Sequence, residues 1–129
     1  NAVLYLRRIT VPAGAHPRQL MLNAIEQRLK ALPRFALVNR RDIVINGNKA
    51  AIVSATYSHQ GNIQFPRYLE EIYLVVGEEA FTFHFECFEP DANGHADALN
   101  RMYSSFLPHP PEGAEEPKTK TPFDLFKTY

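Results

Sequence analysis

The sequence predicts an α+β domain, a mainly antiparallel sheet with helices packed on it. Three observations lead there. Residues 67–89 read RYLEEIYLVVGEEAFTFHFECFE, two runs rich in aromatic and β-branched residues around Gly77-Glu78-Glu79-Ala80, which is a hairpin pattern. Asn46-Gly47-Asn48 marks a second turn between strand-like runs. Apolar residues recur at helical spacing in two further stretches, one ahead of these strands and one behind them.

The elements follow in order. Residues 3–11 form a strand pattern ended by Pro12-Ala13-Gly14. A helix is predicted over 17–32, with proline in the first turn where its missing N–H costs little. Met21, Ile25, Leu29 and Leu32 form its apolar stripe, and Pro33 ends it. Residues 36–46 and 49–59 are antiparallel partners across the Asn46-Gly47 turn. In the second of them Ala51, Val53, Ala55 and Tyr57 line one face, and Ile52, Ser54 and Thr56 the other. Gln60-Gly61-Asn62 opens a loop that runs to Pro66.

The 67–89 hairpin then organises the sheet. Gly77 supplies the positive φ of its turn. Ile72 to Val76 are apolar on both faces, as suits a strand near the middle of a sheet. The second arm alternates: Phe81, Phe83, Phe85 and Cys87 point one way, and Thr82, His84, Glu86 and Phe88 the other. Three phenylalanines make the first face a core face, so function is expected on the opposite one. A second helix is predicted over 93–106, burying Ala96, Leu99, Met102, Tyr103 and Phe106. One domain over 1–107 results, followed by a C-terminal tail over 108–129. The tail opens PHPPEGAEEPKTKT, proline-rich and charged, which predicts an extended, solvated stretch. It closes on PFDLFKTY, a segment that either folds back on its own domain or adheres to a neighbour.

Composition excludes several classes. The chain has 129 residues, enough for one core without staples, and 45% apolar with 22% charged residues is ordinary for a soluble globular protein. Fourteen Lys and Arg balance fourteen Asp and Glu, which argues against a nucleic-acid partner. A single cysteine permits no internal disulfide and fits a reducing compartment. No apolar run approaches the ~20 residues of a membrane span. The opening NAVLYLRRITV lacks the order of a signal peptide. It also begins without methionine and almost directly in a strand, which predicts further residues upstream.

Catalytic chemistry is not legible. His84 and Glu86 share a strand face and His59 could lie nearby, but two such residues do not make a catalytic metal site. A hydrogen-bonded structural histidine is the plainer reading of His84. Cys87 falls on the phenylalanine face, where an apolar setting keeps a thiol inert. Asp97, in His95-Ala96-Asp97, suits a helix start. There is no phosphate loop, dinucleotide fingerprint or nucleophile elbow. Arg7-Arg8 and Arg40-Arg41 are too short for a nucleic-acid track. No catalytic residue, metal or cofactor is assigned, and a non-enzymatic protein is expected.

The order of motifs resembles a known group. The helix ending LKALPRF, the strand-turn-strand NRRDIVINGNKAAIVSATYSHQG, the hairpin EIYLVVGEEAFTFHFECFEP and a closing helix ending SSF look like the PsbP/DcrB superfamily. Within it they are most similar to Eag-type chaperones of type VI secretion Rhs effectors. Leu32-Pro33-Arg34-Phe35, Arg41-Asp42-Ile43-Val44-Ile45-Asn46-Gly47 and the glycines Gly47 and Gly61 around one strand carry the resemblance, which covers about residues 4–107. It implies a PsbP/DcrB-like sandwich and a cytoplasmic homodimer. It also implies a chaperone that holds the N-terminal transmembrane segments of a secreted effector before export, without inserting stably in a membrane itself. A further strand ahead of Val3 is usual in such proteins and contributes to their client groove.

A groove for such clients combines apolar cover with polar groups for close-packed small residues. A sheet face carrying Ile52, Ser54, Thr56, Thr82 and His84 is the expected client site. Two other readings stand beside it: a periplasmic or lipoprotein-type component of an envelope complex, and a small-ligand or metal-binding domain using His84 and Glu86.

Overall fold

In the computed structural model, which describes residues 2–106, the strand with apolar residues on both faces lies at the centre of one sheet. The elements are β1 (Val3–Thr10), α1 (Pro17–Ala31), β2 (Ala36–Ile45), β3 (Asn48–Ser58), β4 (Pro66–Val76), β5 (Glu79–Phe88) and α2 (Ala96–Ser105). Short 3-10 segments, His59–Gly61 and Glu89–His95, follow β3 and β5. The strand order is β1-β5-β4-β3-β2, and every pairing is antiparallel. The predicted α+β class and central hairpin are therefore present. The tail over 108–129, and with it the boundary at 107, lies outside the described residues.

Turn chemistry sets the pairings. Asn46 and Gly47 both take positive φ, 47° and 82°, which a two-residue hairpin of the mirror-image type requires. Gly77 takes φ 62° at the head of the β4–β5 turn, and the next pair, Val76 with Glu79, starts the ladder. A bulge between Leu37 and Asn39 shifts the β2 register, leaving Val38 largely exposed.

Each face of the sheet receives one helix. On one side Phe81, Phe83, Phe85 and Cys87 pack with Ile72, Leu74, Leu99, Tyr103 and Phe106, so α2 closes the main core. Phe106 meets Phe83 edge-on at 4.7 Å between ring centres. On the other side α1 sets Met21, with Leu20, Ala24 and Ile25, over Ala51, Val53 and Tyr73.

Both helical stripes need correction. Leu29 is 61% exposed rather than buried. Measured from Met21 at 100° per residue, position 28 returns to within about 20° and position 29 overshoots by about 80°. Arg28, not Leu29, therefore continues the buried face. Ala96 is exposed, because α2 begins three residues later than the periodicity suggests and Ala96 sits in its first turn. Leu99, Met102, Tyr103 and Phe106 face the core as predicted.

Candidate functional site

The strand register decides which side chains meet. Ile52 pairs with Ile72 and Ile72 with Phe83, so these three share the α2 face. Ser54 and Thr56 follow Ile52 on that face by alternation. Thr82 pairs with Tyr73 and His84 with Glu71, on the α1 face. The five residues expected on one client-binding face are thus split: Ile52, Ser54 and Thr56 on one side, Thr82 and His84 on the other. Thr82 and His84 are moreover buried, at 5% and 6% exposure. The face opposite the phenylalanines is not an open platform.

A charged cluster closes that face instead. Glu71, in the middle of β4, is 3% exposed. Its Oε2 accepts hydrogen bonds from Arg28 Nη2 of α1 at 2.8 Å and from His84 Nδ1 of β5 at 2.7 Å. Its Oε1 accepts from the Tyr73 hydroxyl at 2.8 Å. The other ring nitrogen, His84 Nε2, stands 3.7 Å from Glu86 Oε2, and the Tyr57 hydroxyl donates to Glu86 Oε1 at 2.7 Å. Tyr5 of the edge strand stacks on the His84 ring at 4.7 Å. Among the described residues no buried side-chain nitrogen or oxygen lacks a hydrogen-bond partner. Arg28 and, when protonated, His84 face the two carboxylates, the pairing that buried charge requires.

The pKa directions follow from this geometry. Burial works against the imidazolium of His84, but the hydrogen bonds and charges of Glu71 and Glu86 outweigh it and raise its pKa. Burial likewise pushes Glu71 up, yet His84, Arg28 and Tyr73 hold it below the usual carboxylate range. Glu86 is lowered in the same way, with His84 and Tyr57 opposing the cost of burial. His84 ties β5 to α1 through Glu71, with the Glu86 carboxylate facing its other nitrogen. With a carboxylate at each ring nitrogen it offers a metal no open position, and among the described residues no cluster of three ligating side chains forms. His59 is carried by the 3-10 segment after β3. Burial raises the Cys87 thiol pKa, as expected of an unreactive sulfur.

The α2 face has its own polar clasp. Glu70 accepts from the Tyr68 hydroxyl at 2.6 Å and from the Tyr103 hydroxyl at 2.8 Å, which pins α2 to β4. Beyond α2 that face is only partly covered. Ile43, Ile52, Ser54 and Thr56 are half-buried on β2 and β3, and a groove of about 310 Å³ beside α2 is lined by Ile43, Ile52, Ile72, Asn100 and Tyr103, among others. A larger cleft, about 970 Å³, opens at the end of the sheet where β3 and β5 finish.

Sequence reasoning missed Glu71, Arg28, Tyr57 and Tyr5. The signals that could have found them were a carboxylate inside an apolar strand and an arginine on the Met21 face of α1. No helix among the described residues is long and apolar enough to cross a membrane.

No protein-family model matches the chain, and no curated protein matches it in sequence. Solved structures do. PA94 of Pseudomonas aeruginosa, a protein of unknown function described as a candidate regulator, is 17% identical with TM-score 0.64, covering 84% of this chain and 85% of its own. LpqN of Mycobacterium tuberculosis, involved in cell envelope biogenesis, is 19% identical with TM-score 0.57, over 77% of this chain and 57% of that one. Cyanobacterial PsbP from Synechocystis sp. PCC 6803 is 10% identical with TM-score 0.54, over 79% and 64%. Likeness at these identities speaks for architecture alone, and the architecture is a PsbP-like α+β fold.

Proposed function

We propose that this chain is a non-enzymatic chaperone or adaptor that shelters an apolar segment of a partner protein. The partner is a secreted type VI effector with N-terminal transmembrane segments, as the resemblance to Eag-type chaperones implies. The observation that carries this reading is the partly covered strip on the α2 face, where Ile43 and Ile52 line the groove and the half-buried Ser54 and Thr56 continue the same face of β3 with hydroxyls. A close-packed membrane helix needs both kinds of contact once it is out of lipid. Ile52, Ser54 and Thr56 are thus client residues, whereas Thr82 and His84 support the sheet from behind. The protein acts as a cytoplasmic homodimer, with the exposed apolar residues of an edge strand at the dimer contact.

Co-expression with the effector encoded beside it tests the reading. A complex should co-purify, be lost when the effector's transmembrane segments are deleted, and weaken at least tenfold with Ile52→Asp. A protein that ignores the effector overturns the proposal. LpqN's part in cell envelope biogenesis favours a second reading, an envelope component. Recovery of the full-length gene product in the periplasmic or membrane fraction would support that one instead.

A further inference from the structure

The 970 Å³ cleft lies away from the client strip and is unused by the reading above. Val3, Tyr57, Phe65, Glu86, Phe88 and His95 are among its lining residues. Phe65 and Phe88 are 53% and 38% exposed, and Val3 is 47% exposed. Asp91, Arg67 and His59 line it too, and Glu86 is already engaged by Tyr57 and His84. A concave site rimmed by exposed aromatics calls for an apolar, aromatic occupant.

The chain contains such an occupant. Residues 107–129 follow Phe106 and end in Pro122-Phe123-Asp124-Leu125-Phe126-Lys127-Thr128-Tyr129. We propose that this C-terminal segment docks in the cleft of its own molecule, with Phe123 and Phe126 against Phe65 and Phe88. Reach permits it. Phe106 is held at the opposite end of the sheet, where Asn46 Nδ2 donates to its carbonyl. The return path is about the length of β3, whose 11 residues at ~3.3 Å each give ~36 Å. The sixteen residues 107–122 can span up to ~53 Å.

Tethering also lowers the affinity needed. A linker of this length gives an effective concentration near the millimolar range, so a contact of ~0.1 mM dissociation constant is about tenfold occupied. The docked segment would cover apolar surface that otherwise faces water.

Hydrogen exchange of the full-length protein, alone in solution, tests this. Phe123→Ala with Phe126→Ala should speed amide exchange at Gln64, Phe65 and 86–88 about tenfold. Exchange at Ile72 and Leu74 should stay unchanged, and the difference should persist on tenfold dilution. The reciprocal variant Phe65→Ser should release the amides of 123–126 to a similar degree. Unchanged exchange in both variants overturns the proposal. Protection that fades on dilution also overturns it, because the occupant is then the tail of a second copy. No effector is present in the experiment, so its failure leaves the client reading untouched.

Discussion

Glu71 has more consequence for this domain than any residue singled out from the sequence. It is a carboxylate with three hydrogen-bond donors from α1, β4 and β5, at 3% exposure. Glu71→Ala leaves Arg28 without its carboxylate and His84 with Glu86 as its remaining carboxylate partner. The expected cost is ~3–5 kcal/mol, read by urea denaturation. The cluster also predicts a pH window. The contribution of His84, whose pKa is raised, is complete below the ordinary imidazole value of 6.5 and is lost as pH rises through the raised value. Glu71 and Glu86, both lowered, contribute fully above the ordinary 4.5 and lose that contribution as pH falls through their lowered values. Stability should therefore plateau between these limits and decline on both sides, and His84→Gln should remove the alkaline decline. Thermal unfolding across pH 3 to about 9 checks both limbs, and an unchanged alkaline limb in the variant would count against an imidazolium at His84.

At the scale of elements, the Asn46-Gly47 turn joins two functions. It closes the β2–β3 hairpin, and the Asn46 side chain reaches 58 and 60 residues along the chain to the carbonyls of Ser104 and Phe106. It thereby satisfies acceptors at the end of α2 that the helix itself leaves open. Gly47, at φ 82°, has no heavy atom within 4 Å of where a Cβ would stand. Gly47→Ala should therefore cost only the left-handed backbone strain, about 1–2 kcal/mol. Gly94 is equally uncrowded and lies outside the left-handed region, so Gly94→Ala should be neutral or stabilise by up to ~1 kcal/mol. Chemical denaturation of the two variants should give opposite or clearly unequal shifts; equal losses would mean that backbone conformation is not what separates the sites. The turn was readable from Asn-Gly alone, but the grip on α2 was not, because nothing local to Asn46 points to residue 104.

At the scale of the whole molecule, the sheet of the described residues ends in β1 on one side and β2 on the other. β1 exposes Val3, Leu4, Tyr5 and Ile9, each between 41% and 47%, and β2 exposes Leu37, Val38 and Val44. Apolar edge strands with unpaired backbone groups invite another chain. If β1 forms the proposed dimer contact, Leu4→Lys with Ile9→Lys should halve the mass measured by light scattering while the far-ultraviolet circular dichroism stays unchanged. A variant that keeps the full mass would move the contact to another surface.

Much of this architecture was legible without coordinates. Alternation in residues 81–87 assigned the core face, two turns bounded the hairpins, and the doubly apolar Ile72–Val76 run placed β4 in the middle. These are local properties, set by the two-residue period of a strand and by the backbone freedom of glycine and asparagine. The candidate site was legible only in part. Which face of β3 lies beside which face of β5 depends on register across β4, and a strand apolar on both faces carries no mark of parity. Ile52 and His84 were consequently assigned to one surface when they stand on opposite ones. The Arg28–Glu71–His84–Glu86 cluster joins α1, β4 and β5 across up to 58 positions of sequence. Only the tertiary fold decided that meeting, because the energy of a charge pair depends on distance and burial that no spacing along the chain encodes.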